Sequence, residues 1–440
     1  MKFFPRTIAR AAFGPLALLL LGLAAGCEQR YAEDLRYSVR TDPLVLDHFT
    51  ANPAQIDAPG DYGQPGYLEH LQGVTDEEKQ KKLLDPNRLK PEQRQQLDDA
   101  LVELFGTPRE PRVTVFKDVD NPDGTSSQKP DPDFNKFLKL DEATLARGSE
   151  VYRAQCLHCH GLTGDARGPT AAWINPHPRD FRRGKFKFIS VKNSDDAGGN
   201  ERKPRREDLL HELVVGLEGT SMPSFALLGD DKLNDVVSYV IHLSIRGEVE
   251  YLTIKDLLTP DSGVENIAEQ VKTNAKQVAE WWRKAEANPI IPGPYKVNEK
   301  DELAMRRSVQ HGFQLFQKKG AGCISCHIDY GRQGLYFYDD WGTIGRPADL
   351  TNRFYHGGRR PIDLYYRIHS GINGSNMPGA GKQEADDQNG LKPDDIWDLV
   401  NFLETLPYPT MRQKYGIDID HPGEEFKVQS SKVPSSKGRS

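Results

Sequence analysis

The sequence predicts an all-α chain built on two tandem modules, and three observations carry that prediction. Two cysteines three apart, followed at once by histidine, occur at 156–160 (Cys156, Leu157, His158, Cys159, His160) and again at 323–327 (Cys323, Ile324, Ser325, Cys326, His327). Residues 208–223 align without a gap on residues 363–378, pairing Gly216 with Gly371, Gly219 with Gly374 and Met222-Pro223 with Met377-Pro378. Apolar residues at helical spacing open and close both tracts.

The pentapeptide has a chemical reading. One helical turn presents two thiols to the two vinyl groups of one porphyrin, and the next side chain reaches the iron as an axial ligand. This is the attachment signature of c-type haem, so two covalently attached haem c groups are expected. The rival reading is a zinc knuckle, which needs further Cys or His at matching spacing. Four of the chain's five cysteines lie in these two copies, so no further thiols accompany them.

Taken in order, residues 1–27 read as an export signal. Lys2, Arg6 and Arg10 precede an apolar run from Ala11 to Ala25 that is short for a spanning helix and contains Gly14 and Pro15. The run ends in Leu23-Ala24-Ala25-Gly26-Cys27, which resembles the cleavage box of bacterial lipoproteins, with Cys27 the acylated first residue of the mature chain. Ala24 departs from that pattern, which usually has leucine three places before the cysteine. The chain is therefore expected to be exported and lipid-anchored through Cys27 to a bacterial membrane, facing the periplasm.

Residues 28–140 are polar and proline-rich, an irregular and partly helical extension. A capping box at 75–78 opens a short helix, and a stronger one starts at Pro91, carries Leu97, Leu101, Leu104 and Phe105 on one face, and stops at Gly106-Thr107-Pro108. A tethering spacer partly packed on its own protein is expected here, ahead of a docking arm. The first module spans 141–246. Asp141 caps a helix with Leu145, Gly148, Val151 and Tyr152 that delivers the chain to Cys156, and a closing helix over 231–244 carries Leu233, Val236, Val237, Val240 and Leu243. Residues 247–300 form a linker in which Val264, Ala268, Val271, Ala275, Val278, Trp282 and Ala285 make a helical seam, expected to pack as a strut against the modules. The second module, 301–408, repeats the plan with Gly312, Phe316 and a closing helix of Ile396, Leu399, Val400, Leu403 and Leu406. A polar tail, 409–440, follows.

A formal net charge of -6 argues against nucleic acid as a partner. Around the first motif, however, cations gather: Arg179, Arg182, Arg183, Lys185, Lys187, Arg202, Lys203, Arg205 and Arg206. Three readings stay open, namely steering an acidic redox partner, neutralising haem propionates, or solvating an insertion. Trp173, Trp341, Tyr336 and Tyr338 are aromatics within reach of a propionate, with core or rim packing the default. His177, His211, His356 and His369 are not expected to be ligands.

Each module resembles a class I cytochrome c domain, and the pair resembles the exported di-haem c-type cytochromes of bacteria. The likeness rests on the first helix with glycine and an aromatic four residues later, the Cys-x-x-Cys-His motif, the Met-Pro loop, and the closing helix with Tyr239 or Phe402. It does not extend to the first 140 residues, the linker or the tail. The resemblance implies covalent attachment at Cys156, Cys159, Cys323 and Cys326, His160 and His327 as proximal iron ligands, and Met222 and Met377 as distal ones. A neutral thioether is a soft ligand that favours ferrous iron, and it leaves no open axial site. The likeness also implies that Gly148 and Gly312 permit a close helix crossing, and that a proline carbonyl orients each proximal histidine, with Pro169 and Pro347 as candidates. In function it implies single-electron transfer between a membrane-associated respiratory donor and acceptor, free or as a subunit of a larger respiratory complex, with no bond-making residue. The alternative is a di-haem cytochrome c peroxidase, which needs an open distal position at one iron. Partners are then redox proteins, and the membrane through the lipid on Cys27.

Overall fold

The computed structural model describes residues 31–47, 49, 74–123, 125–192, 202–260, 262–318, 322–382 and 390–420. The expected export segment 1–27 with its Cys27, and the tail beyond 420, lie outside the described residues. Among the described residues no helix is long and apolar enough to cross a membrane.

The N-terminal extension is built into the core. A short strand β1 (Leu44–Val45) pairs antiparallel with β2 (Leu83–Leu84), which follows helix α1 (Asp76–Lys82). The Thr75 hydroxyl caps α1 by accepting from the Glu78 N–H at 3.2 Å, as the capping box predicts. Helix α2 (Pro91–Phe105) begins on its proline and ends at Gly106, whose φ of 69° suits a residue without a side chain. Its Leu97, Leu101, Leu104 and Phe105 are buried. A hairpin of β3 (Phe116–Asp120) and β4 (Ser126–Pro130) then leads into α3 (Pro132–Leu138). This hairpin escaped the sequence reading because its polar strands lack a sustained alternation of apolar residues, although Asn121-Pro122-Asp123-Gly124 between them is a turn signal.

Tyr37, Leu44, Leu97, Phe105 and Phe134 share one apolar core with Leu145, Tyr152, Tyr239 and Val271. The described parts of the extension thus add to the core of the first module, a fuller packing than the partly packed spacer expected. The extension's apolar residues are few and scattered among charges, which is why the segment reads as linker by composition.

In the first module α4 (Glu142–Gln155), N-capped by Asp141, runs into α5 (Leu157–His160); α6 (Arg206–Val215) and α7 (Asp230–Leu258) follow. The closing helix α7 runs well past the expected end at 244. The continuation looks polar, but the charges nearest the module, Arg246, Glu248 and Glu250, are buried and paired. Arg246 reaches Glu250 at 3.2 Å, Lys203 reaches Glu248 at 2.6 Å, and Glu250 accepts from the Arg40 N–H at 2.7 Å. Gly247 lies inside this helix where the Arg182 backbone packs close: a Cβ there would meet the Arg182 Cα at 2.5 Å. Helix α8 (Ile267–Ala287) buries Val271, Ala275, Val278, Trp282 and Ala285 against α2 and α7. Val264 precedes the helix, so the seam begins at Ile267 instead.

The second module contains α9 (Glu302–Phe316), the small ladder β5 (Phe337–Tyr338) with β6 (Ile344–Gly345), α10 (Pro361–Ser370), α11 (Pro393–Thr405) and α12 (Pro409–Tyr415). Val309, Phe316, Leu364, Leu399 and Phe402 centre a core of its own. In both modules the first helix crosses the closing one at a glycine. A Cβ on Gly148 would lie 2.2 Å from the Asp235 carbonyl oxygen, and one on Gly312 would lie 2.0 Å from that of Asp398. The aromatics pack at these crossings with tilted rings, centroids 5.2 Å apart for Tyr152 and Tyr239 and 5.4 Å apart for Phe316 and Phe402.

Candidate functional site

Each crossing fixes the end of a helix, and the Cys-x-x-Cys-His turn begins there. The Cys156 carbonyl accepts from the amides of Cys159 at 3.1 Å and His160 at 2.9 Å, so one tight turn carries both thiols and the imidazole. The Cys323 carbonyl accepts from Cys326 at 3.2 Å and His327 at 2.8 Å in the same way. All four thiols are free of disulfides. Burial pushes the Cys156 thiol up to about 12 and raises that of Cys323.

The imidazoles are oriented from behind. His160 Nδ1 lies 3.1 Å from the Arg179 carbonyl oxygen and His327 Nδ1 lies 3.1 Å from that of Ala348. A carbonyl only accepts, so Nδ1 carries the proton and Nε2 keeps a free lone pair in each ring. Burial lowers both histidines, His160 to about 4, which keeps them neutral and able to ligate. Pro169 therefore does not supply this contact, and at the second site the acceptor is one residue past Pro347. Both acceptors directly follow a proline, Pro178 or Pro347, whose fixed φ sets the path of the next residue.

The two methionines sit on matching loops. Gly216 and Gly371 end α6 and α10 with φ of 73° and 75°. The Met222 carbonyl accepts from the Leu217 N–H and the Met377 carbonyl from the Ile372 N–H, each at 3.0 Å. Inside each loop one hydroxyl bridges the turn. Thr220 Oγ1 donates to the Leu217 carbonyl at 2.7 Å and accepts from the Met222 N–H at 3.1 Å; Ser375 Oγ does the same with Ile372 and Met377 at 2.9 and 3.2 Å. These hydroxyls escaped the sequence reading, although their matching places in the repeat were the available signal.

Cys156, Cys159, His160 and Met222 line the same cavity as Cys323, Cys326, His327 and Met377. The cavity is continuous, about 1780 Å³ in volume, and walled by Leu209, Leu213 and Val240 on one side and Leu364, Ile368 and Leu403 on the other. That exceeds the roughly 300–1,000 Å³ of a pocket for one small ligand. Paired thiols, a neutral imidazole with a free Nε2, a thioether and apolar walls together fit a c-type haem in each half.

The basic cluster is not a surface patch. Arg182, Arg183, Lys185 and Lys203 are buried. Arg182 holds Asp42 through two bonds of 2.9 Å, Lys187 pairs with Asp339 at 3.2 Å, and both Arg183 and Lys185 bond to Asp340. Arg179 stacks 3.7 Å over the Trp341 ring, whose Nε1 donates to the Asp180 carbonyl at 3.2 Å. The cluster therefore fastens the first module to the second, and docking of an acidic partner on it finds no support. Of the aromatics, Trp341 and Tyr336 line the cavity, Tyr338 packs on Val45 and Phe49 of the extension, and Trp173 stands 83% exposed away from it. His211 meets Arg360 at 2.7 Å and His356 the Glu218 carbonyl at 3.0 Å, further contacts between the modules.

A helical module in which a glycine-crossed helix, a Cys-x-x-Cys-His turn and a pinned methionine face one cavity defines a covalent-haem domain, and it is present twice. The cytochrome c family profile matches residues 145–244 and 309–407. The chain carries two cytochrome c domains, and with them two covalently bound haem c groups, in a mostly helical fold. A chain of the reducing HAO-like protein complex of Kuenenia stuttgartiensis is a similar solved structure, with a TM-score of 0.43 and 23% identity, covering 59% of this chain and 95% of that one. No curated protein matches the chain.

Proposed function

We propose that the protein is a di-haem electron-transfer cytochrome in which both irons are ligated by histidine and methionine, His160 with Met222 and His327 with Met377. Cys156, Cys159, Cys323 and Cys326 make the thioether bonds. Bound in this way, each haem supplies a one-electron iron couple. The chain's own part is to hold ligands still. The Arg179 and Ala348 carbonyls fix the tautomer and direction of the imidazoles, the hydroxyls of Thr220 and Ser375 pin the methionine loops, and the apolar walls keep water from the irons. The observation that carries the reading is the recurrence of the same hydroxyl-pinned methionine loop in both modules, lining the cavity that the histidines also line. A peroxidatic iron needs one distal position without such a ligand.

The same reading places the protein outside the cytoplasmic membrane, held by a lipid on Cys27 and facing the periplasm, where it passes electrons between a membrane-associated respiratory donor and an acceptor, free or within a larger respiratory complex. Met222→Ala and Met377→Ala, each made in the full-length holoprotein and titrated potentiometrically, test the ligands. Each variant should lower one midpoint potential and let cyanide bind at one haem. Unchanged potentials with no cyanide binding refute the ligation, and rapid peroxide turnover by the wild type with a reduced cytochrome as donor refutes the carrier role. Labelling with a radioactive fatty acid, lost in Cys27→Ser, tests the anchor, and gentle detergent extraction with size analysis separates a free carrier from a complex subunit.

A further inference from the structure

The turn that follows His327 has a strained backbone. Asp329 and Tyr330 stand in succession at φ of 50° and 59°, with Gly331 at 93° after them. Residues with side chains enter this left-handed region at a cost and stay there only where their surroundings fix them. The first domain places a glycine, Gly161 at φ 73°, directly after its own histidine.

What the strained turn supports is residue 348. The Ala348 carbonyl, which accepts from His327 Nδ1 at 3.1 Å, faces Gly331 so closely that a Cβ there would overlap its oxygen. The Leu350 N–H donates to the Tyr330 carbonyl at 2.8 Å. The turn 329–331 and the segment 348–350 thus form one brace behind the imidazole.

Two grips hold the turn. Tyr330 is held from the core, its ring stacked on Phe316 with centroids 5.6 Å apart and its hydroxyl accepting from Gln317 Nε2 at 2.7 Å. Asp329 is held by Arg332, whose Nε and Nη2 donate to the two carboxylate oxygens at 3.0 and 2.6 Å. The same guanidinium reaches beyond the family match, which ends at 407. Its Nη1 donates to Asp420 Oδ1 at 2.9 Å and its Nη2 to the Ile419 carbonyl at 3.3 Å. Asp420 is fixed in turn by Arg412 Nη2 at 3.2 Å, and Ile417 and Ile419 are buried in the core of the second domain. The stretch 409–420, expected as the start of a polar tail, therefore ends as a packed strap beside the second haem site. A lone exposed ion pair contributes little, but a planar fork shared by two acids and a carbonyl fixes direction as well as distance.

We propose that Arg332 and Asp420 are positioning residues for the second haem: the strap clamps the left-handed turn against which the acceptor of the His327 imidazole is set. This rests on the reading that His327 ligates iron. Asp420 escaped the sequence reading because its partner lies far back in the chain.

A hydrogen bond from Nδ1 to a carbonyl makes the imidazole a more basic ligand, which favours ferric iron and lowers the midpoint potential. Loosening the clamp weakens that bond, so it raises the midpoint at one haem. Arg332→Lys keeps the charge but cannot make the fork. In full-length holoprotein it should raise the midpoint that Met377→Ala moves by roughly two- to tenfold in the one-electron equilibrium constant, tenfold being about 59 mV. The other midpoint should hold. Proton NMR should show the His327 Nδ1 proton exchanging with deuterium several-fold faster in Arg332→Lys and in Asp420→Asn than in wild type. That exchange separates the clamp from a bare charge effect, since removing the Asp420 charge raises a nearby midpoint by itself. A lower unfolding temperature with wild-type midpoints and exchange makes Arg332 a surface tie only and overturns the proposal. Equal shifts at both haems mean general disruption and overturn it too. Should Arg332→Lys fail to fold, unchanged exchange in Asp420→Asn has the same force. Cyanide binding in the methionine variants tests the ligation reading separately, so either can fail while the other stands.

Discussion

Replacing Gly312 by alanine sets two effects of opposite sign against each other. On a helix free of tertiary contacts, Gly→Ala stabilises by about 1 kcal/mol, because glycine gives up more backbone freedom. At this crossing the new Cβ would stand 2.0 Å from the Asp398 carbonyl oxygen and 2.9 Å from Phe402 Cβ. An ordinary carbon–oxygen contact is about 3.3 Å, so α9 and α11 must part by roughly an ångström. Both contact points are rigid, being a helix backbone and the root of a fully buried ring. The parting also draws Ser308 and His311 away from Asp398, to which both now bond. Val309, Phe316, Val400 and Phe402 are packed around the crossing with 1% exposure or less, so no slack absorbs the shift. Overpacking of this kind costs about 1–3 kcal/mol, which outweighs the propensity gain or at least cancels it. Denaturant unfolding of the holoprotein, followed in the far ultraviolet and in the haem absorbance, should give a midpoint lower than wild type, with Gly148→Ala showing the same sign. A Gly312→Ala protein more stable than wild type by the propensity increment would refute the close crossing.

Other outcomes follow from the same geometry. Ser375→Ala removes the hydroxyl that accepts from the Met377 N–H; a lost neutral hydrogen bond is worth about 1 kcal/mol, so cyanide affinity at one haem should rise several-fold, and an unchanged affinity means the hydroxyl does not hold the loop. Asp340→Asn leaves Lys185 buried without its carboxylate, a change of the class that costs about 3–5 kcal/mol; scanning calorimetry should show the two domains unfolding in separate steps, and a single wild-type transition would discount this contact as the fastening. His242, whose Nε2 donates to the Phe105 carbonyl at 2.9 Å, is held down at about 4 by burial and Arg246, against the pull of that carbonyl. A histidine lowered on folding binds its proton more readily when unfolded, so the stability it lends is present above about 6.5 and is lost as pH falls toward about 4. The loss is roughly 3 kcal/mol at 1.36 kcal/mol per unit. His242→Gln should flatten that stretch of the stability-against-pH curve, and an unchanged slope assigns it to other groups.

What the sequence makes legible is whatever repeats or follows a local rule. The haem motifs, the glycine crossings, the methionine loops and the caps at Thr75 and Asp141 each depend on neighbours within a few residues, and the second copy multiplies the signal. What stays hidden depends on distant partners. Arg246, Glu248 and Glu250 look like the exposed end of a helix because Lys203 and Arg40, which bury them, lie far away in the chain. The basic cluster looks like a surface because its acids, Asp42, Asp339 and Asp340, come from both flanks. The histidine acceptors are missed for a subtler reason: any residue has a carbonyl, so Arg179 and Ala348 carry no mark of their own, and only the proline before each hints at a fixed backbone.

The segment 179–187 ties these levels together. Its first carbonyl orients His160, and its side chains grip the second domain, Arg179 on Trp341, Arg183 and Lys185 on Asp340, Lys187 on Asp339. Asn373, at the head of the second methionine loop, donates its N–H back to the Lys187 carbonyl at 3.1 Å. The chain that sets the imidazole of the first site is therefore the chain against which the methionine loop of the second is built. Such a tie is short, buried and made of charges whose separation would expose unpaired ions, so it resists thermal opening far better than an exposed salt bridge does. Two domains joined only by α8 and a flexible linker would need neither the buried charges nor the shared cavity. Their presence argues that the two haem sites are held as one unit with a fixed spacing.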